Sequence, residues 1–213
     1  MASDAVVLVC GDTPWPGAQA GTVVPVPARP GRAELGELLA GLADRRLVVC
    51  GTDADLAAVL LRLLRTEALG VAVGYVPAAP ASAVARLWGL PVAPVAAAEV
   101  ALRGEPDRVP LVRDDAGGVL VGLGVVAPVH GVAYCDDDLV FRGQARRMEV
   151  RPDQQHGLAV RVVRGPLGRV RRGAGRAVQL GCSPTDVCCD GVPGRTTDRW
   201  TWYRHTEDWR LVH

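Results

Sequence analysis

The sequence predicts an α/β N-terminal domain built on a parallel sheet, followed by a C-terminal antiparallel β-sandwich. Three observations predict it. Continuous apolar runs alternate with helical leucine stripes through the first half of the chain. Beyond residues 104–108 the pattern changes to short apolar runs separated by Gly, Asp and Pro. No long helical stripe returns after that point, which is the signature of an antiparallel β domain.

The first run, residues 5–9, is apolar throughout, as in a strand buried on both faces. Residues 33–42 carry leucines at 35, 38, 39 and 42, a helical stripe. Residues 46–50 form a second buried strand. A helix over 53–64 follows, with Leu56, Val59, Leu60, Leu63 and Leu64 on one face and Asp53 or Asp55 as its cap. Residues 71–76 are a third strand closed by Pro77. Residues 82–88 read as a short helix begun by Ser82 and stopped by Gly89 and Pro91. One more helix is expected over 96–102.

In the second half, strand-like runs occur at 109–112, 119–126, 132–134, 139–141, 148–151, 158–163, 177–180, 187–189, 200–203 and 209–212. The Arg- and Gly-rich stretch 164–176 reads as a mobile loop. The expected domains are therefore 1–105 and 106–213.

Composition excludes several classes. A net charge of +1 selects neither nucleic acid nor a membrane surface through the global field. All 24 basic residues are arginine, so no lysine can serve as a phosphate-loop cation or form a Schiff base. The N-terminal apolar run is too short for a membrane span and lacks the basic flank of a signal peptide. A soluble cytoplasmic protein is expected, with its six cysteines reduced.

Two segments carry a resemblance. The first is VVCGTDADLAAVL, residues 48–60; the second is VGYVPAAPASAVARLWGLP, residues 73–91. They resemble the paired nucleotide motifs of the diacylglycerol kinase and sphingosine kinase superfamily, whose ATP domain is related in fold to NAD kinase. The first family pattern is a strand, G-G-D-G-T-L, and a helix. Gly51, Asp53 and Leu56 match it, while Thr52 and Ala54 replace glycines and Asp55 replaces the threonine. The second pattern is a strand, P-L-G-T-x-N-D-F-A-R, and G-I-P. Pro77, Ala85, Arg86, Gly89, Leu90 and Pro91 match, while Ala79, Pro80, Ser82 and Ala83 stand where Gly, Thr, Asn and Asp are usual. A third piece, Asp190-Gly191-Val192, matches the first two positions of a family D-G-E turn. The chain is shorter than typical members.

The resemblance implies an ATP site, with Mg2+, formed by Gly51, Thr52, Asp53, Ala54 and Asp55 together with Ala79, Pro80, Ala81 and Ser82. It implies a lipid or nucleotide ligand in a cleft between the domains, and it makes Asp190 the candidate catalytic or metal-linked acid. Asp190-Gly191 reads equally as an ordinary hairpin turn.

The substitutions work against phosphate. Glycine-rich turns let backbone N–H groups converge on an anion at a helix N-terminus. Thr52 and Ala54 add side chains, and a non-glycine at positive φ costs about 1–2 kcal/mol. Asp55 puts a carboxylate where a phosphate should sit, and Pro80 removes an N–H donor. The expectation is a degenerate lipid-kinase homologue. An active ATP-dependent lipid kinase with unusual loops is the second reading. A non-enzymatic module that dimerises or binds through Trp200, Trp202, Tyr203 and Trp209 is the third.

The remaining clusters read as structural. Cys182, Cys188 and Cys189 lack zinc-ligand spacing and read as buried thiols. Asp136-Asp137-Asp138 reads as a solvated acidic turn rather than a cation site. The arginines at 161, 164, 169, 171, 172 and 176 could meet phosphates of a lipid headgroup or nucleic acid, and read first as a solvated loop; no nucleic-acid partner is expected.

Overall fold

The computed structural model describes residues 5–17, 21–165 and 168–213. Two compact units emerge. Residues 5–17, 21–109 and 208–213 make the first, and the described residues of 110–207 the second. Residues 106–109 and 208–213, expected in the β domain, therefore belong to the first unit.

The first unit is a six-stranded sheet with the order β2-β1-β3-β4-β16-β5. Its strands are β1 (Ala5–Cys10), β2 (Thr22–Val26), β3 (Arg46–Gly51), β4 (Ala72–Pro77), β5 (Pro106–Val109) and β16 (Trp209–Val212). All neighbours are parallel except β16 and β5. Burial of both faces explains the continuous apolar runs. One face packs Ala5, Val7, Val48, Cys50 and Val76 against helix α4 (Pro94–Arg103) through Ala97, Ala98 and Ala101. Gly74 allows that approach: a Cβ there would lie 2.4 Å from the Ala101 carbonyl oxygen. The opposite face carries Leu47 and Val49, both fully buried, and is covered by α2 (Asp53–Arg65), whose stripe Leu56, Val59, Leu60 and Leu63 is also buried. Helix α1 (Arg32–Ala40) packs on α2. The short α3 (Ala83–Trp88) starts at Ser82 and ends at Gly89, whose φ of 67° closes it in the left-handed conformation.

The second unit holds ten strands in one antiparallel sheet. They are β6 (Val112–Asp114), β7 (Val119–Leu120), β8 (Gly124–Val126), β9 (Val129–Cys135), β10 (Asp138–Ala145), β11 (Arg147–Asp153), β12 (Gly157–Arg164), β13 (Arg169–Gly175), β14 (Ala177–Cys189) and β15 (Val192–Arg204). The long β14 takes two partners along one edge, β9 over residues 178–182 and β8 over 187–189. Its pairing with β15 is irregular between these stretches. The sheet divides there, and β10 packs over β12 and β13. One hydrogen-bonded sheet thus supplies both layers. Phe141, Met148, Val160, Val178, Trp200 and Trp202 fill the space between them.

Three expectations change. Residues 169–175 of the expected loop are β13, paired with β12 from Arg164↔Arg169 to Leu158↔Gly175; Pro166 and Leu167 of that loop lie outside the described residues. β2 was not anticipated. The C-terminal aromatic face is not a surface: Trp202 is fully buried and Trp200 is 5% exposed, their ring centroids 5.9 Å apart in the core. Trp209 is buried in the first sheet. Of the four expected rings only Tyr203 is half-buried, and the three tryptophans, already consumed by packing, leave a partner no aromatic face.

Candidate functional site

The two motif segments fold as strand–turn–helix units on neighbouring strands, β3 to α2 and β4 to α3. Parallel pairing of Gly51 with Pro77 brings the two turns side by side, and the Ala78 amide donates to the Gly51 carbonyl at 2.7 Å. Residues 51–55 and 79–82 therefore lie next to each other, at the C-terminal ends of parallel strands. That is the usual ligand position in an open α/β sheet.

Several of the donors that would meet a phosphate there are already occupied, the amides of Thr52, Asp55, Ala83 and Ala85 among them. The cap of α2 is Thr52, not Asp53 or Asp55. Its hydroxyl accepts from the Asp55 amide at 3.3 Å. Asp55, at the third helical position, closes the reciprocal half of the box. Its Oδ2 accepts from the Thr52 amide and the Thr52 hydroxyl, each at 2.7 Å. Its Oδ1 accepts from the Arg29 amide at 2.6 Å, in the connection between β2 and α1. The Asp55 side chain is 2% exposed. A carboxylate thus fills the start of α2, where the positive helix end would attract an anion. Gly51 is glycine because of this carboxylate: an added Cβ would lie 2.7 Å from Asp55 Oδ2 and 3.0 Å from Cys10 Cβ.

Asp53 closes the second turn in the same way. Its Oδ2 accepts from the Ala83 amide at 2.7 Å, and its Oδ1 accepts from Ser82 Oγ at 2.5 Å and the Tyr75 hydroxyl at 2.8 Å. Ser82 in turn accepts from the Ala85 amide at 3.0 Å, capping α3. Burial first, and the Asp53 carboxylate second, hold the Tyr75 phenol well above its ordinary range, so it acts as a donor and not as a base. Ala79, Pro80 and Ala81 form an exposed rim with no polar side chain.

A bound ATP with Mg2+ does not fit these residues. The first turn of α2 holds a buried carboxylate where the anion would sit, and Asp53 spends both oxygens on α3 and Tyr75. Among the described residues, no three His, Cys, Asp or Glu side chains are grouped to hold a metal ion.

Asp190 lies in the second unit, in the two-residue turn between β14 and β15. Its φ of 51° and the 82° of Gly191 give both turn residues the positive sign of a type I′ hairpin. Its carboxylate also has long-range work. Oδ2 accepts from the Val121 amide at 2.9 Å; Oδ1 accepts from Gly122 at 2.8 Å and Leu123 at 2.9 Å. The residue is 7% exposed. Sequence spacing gave no signal of these partners, which lie 67 to 69 residues away.

The second unit also contains an open cavity of about 930 Å3, lined in part by Val129, His130, Gln144, Arg146, Ser183 and Thr185. No motif residue lines it.

The cysteines are all unpaired. Burial, helped by the neighbouring Asp55 carboxylate, pushes the Cys10 thiol up to about 12; burial alone pushes Cys50 up to about 11. A thiol whose pKa rises on folding contributes stability that is present below the unfolded value of 9.0 and is lost as pH climbs through the folded one. Urea midpoints are expected to fall between pH 9 and 11, and the Cys10→Ala/Cys50→Ala double variant to show a shallower fall.

No family model matches the chain, and no curated protein matches it. Solved structures do. A diacylglycerol kinase from Bacillus anthracis Sterne superposes with a TM-score of 0.70 at 11% identity, covering 99% of this chain and 97% of that one. An NAD kinase from Archaeoglobus fulgidus, solved in complex with ATP, gives 0.58 at 12% identity, covering 98% and 93%. Identities this low establish the fold.

Proposed function

We propose that this chain, which has the fold shared by diacylglycerol kinases and NAD kinase, is a degenerate kinase homologue that neither binds ATP nor phosphorylates lipid. One observation carries the reading: the chain's own carboxylates stand at both helix N-termini of the paired turns, Asp55 closing the Thr52 capping box of α2 and Asp53 accepting from the first amide of α3. An incoming triphosphate would have to displace both, against like-charge repulsion and at the loss of their hydrogen bonds. The turns then serve to join β3 to β4, and any ligand they accept lacks a phosphate chain. The three amide bonds of Asp190 support a structural role for it in place of acid–base or metal chemistry. The cytoplasm is the compartment we assign, supported by six unpaired cysteines, of which Cys10, Cys50, Cys135 and Cys189 have thiols raised by burial.

Calorimetric titration with ATP and Mg2+ tests this. The expected result is no saturable heat up to millimolar nucleotide and no phosphate transfer to diacylglycerol vesicles. Saturable binding at micromolar affinity would overturn the reading and restore the active-kinase alternative.

A further inference from the structure

The cavity of the second unit opens where its sheet is interrupted. Ser183 and Pro184 stand in no register pair: β14 leaves β9 at Cys182, and its pairing with β15 skips from Gly181 to Thr185. Pro184 has no N–H to give a ladder, which accounts for part of the break. Thr185 steadies the wall by donating its hydroxyl to the Pro128 carbonyl at 3.0 Å. Here β9 and β10 also reach their common end. Ala145↔Val129 is their last pair, and Gln144↔His130 is the one before it. Successive pairs project to opposite faces. Val129 and Ala145 accordingly belong to the apolar core of the unit, while His130 and Gln144 are exposed. The cavity, of about 930 Å3, touches both pairs, together with Ser183 and Arg146. Among the described residues Arg146 makes no ion pair, and no Asp or Glu lines the cavity beside it.

We infer that this cavity binds a small organic acid: an aromatic or alicyclic body bearing one carboxylate or sulfonate group. The inference holds whether or not the paired turns accept ATP. Each part of such a ligand meets a matching wall. The Arg146 guanidinium offers its fork to two acid oxygens. His130, Gln144 and Ser183 supply further hydrogen-bond donors. Pro128, Val129, Ala145 and Pro184 give the body its apolar surface. A mostly apolar hollow with a few convergent polar groups is the common form of a small-molecule site. The lining also excludes other classes. One arginine is too little charge for a polyphosphate, and no aromatic ring is present to stack a nucleobase. Without a carboxylate, the cavity has nothing to pair with an amine or to ligate a hard cation.

Fluorescence titration of the full chain with anilinonaphthalene sulfonate tests it. N-phenylnaphthylamine, the same ring system without the acid, is the neutral counterpart. The sulfonate is expected to saturate at one equivalent per chain and to bind at least about tenfold tighter than the neutral dye, as a hydrogen bond to a charged group predicts. Arg146→Gln should erase that preference while leaving the neutral dye and the urea midpoint unchanged. Ser183→Trp should fill the cavity and abolish binding of both dyes. Naphthoate should displace the sulfonate, whereas inorganic phosphate, which has no apolar body, should not. Val95→Asp on α4 should change nothing, although Val95 is 64% exposed and is apolar surface of the kind such dyes also seek. Equal affinity for the two dyes, indifference to Arg146→Gln or Ser183→Trp, displacement by phosphate alone, or loss of binding in Val95→Asp would each overturn the inference.

Discussion

Asp190→Ala is expected to lower the free energy of unfolding by about 3–5 kcal/mol, read from urea denaturation followed by tryptophan fluorescence. The substitution removes the acceptor of three backbone amides, those of Val121, Gly122 and Leu123, and leaves them without it in a buried segment. A buried donor stripped of its partner costs about 1–3 kcal/mol. Alanine also tolerates the φ of 51° poorly, adding about 1 kcal/mol. Asp190→Asn should cost roughly half as much, since asparagine accepts the left-handed conformation and keeps one oxygen acceptor. A loss below about 1 kcal/mol for the alanine variant would mean that the carboxylate is not structural and would return it to candidacy as a reactive acid.

Asp55→Ala should destabilise the first unit by about 2–4 kcal/mol. It removes one half of the α2 capping box and releases the Arg29 amide from the start of that helix. Loss of a cap alone costs about 0.5–2 kcal/mol, and each hydrogen bond to a charged acceptor about 1.5–3. Unfolding monitored by circular dichroism at neutral pH checks it. An unchanged midpoint would show that solvent replaces the carboxylate without cost, which would weaken the case that α2 is permanently capped.

Much of the first unit was legible in the sequence because burial on both sheet faces writes itself as unbroken apolar runs. The runs at 5–9, 46–50 and 71–76 correspond to β1, β3 and β4. The leucine stripe of α2 and the Ser82–Gly89 bracket of α3 were equally plain. β2 was not, because it is an edge strand with Val23 45% exposed and Pro25 within it. β13 was hidden for a related reason: Arg169, Arg171, Arg172, Gly173 and Gly175 give an edge strand no apolar period to detect. At the site, sequence comparison marked Asp55 as hostile to phosphate. It could not find that Asp53 reaches across to α3, because that contact spans 30 residues and depends on the Gly51–Pro77 register. Trp200 and Trp202 alternate onto one face of β15, yet periodicity does not say whether that face meets solvent or core.

The position of β16 sets an order of assembly. Residues 209–212 lie between β4 and β5, strands that the chain completes about 130 and 100 residues earlier. During synthesis, the first unit must wait with that gap open while the contiguous second unit, 110–207, is made and can fold. At about 5–20 residues per second the delay is roughly 5–20 s. The usual sequence, in which the earlier domain finishes first, is inverted here. Through that interval the facing edges of β4 and β5 have no native partner, and this is when the chain is most open to pairing with another copy of itself.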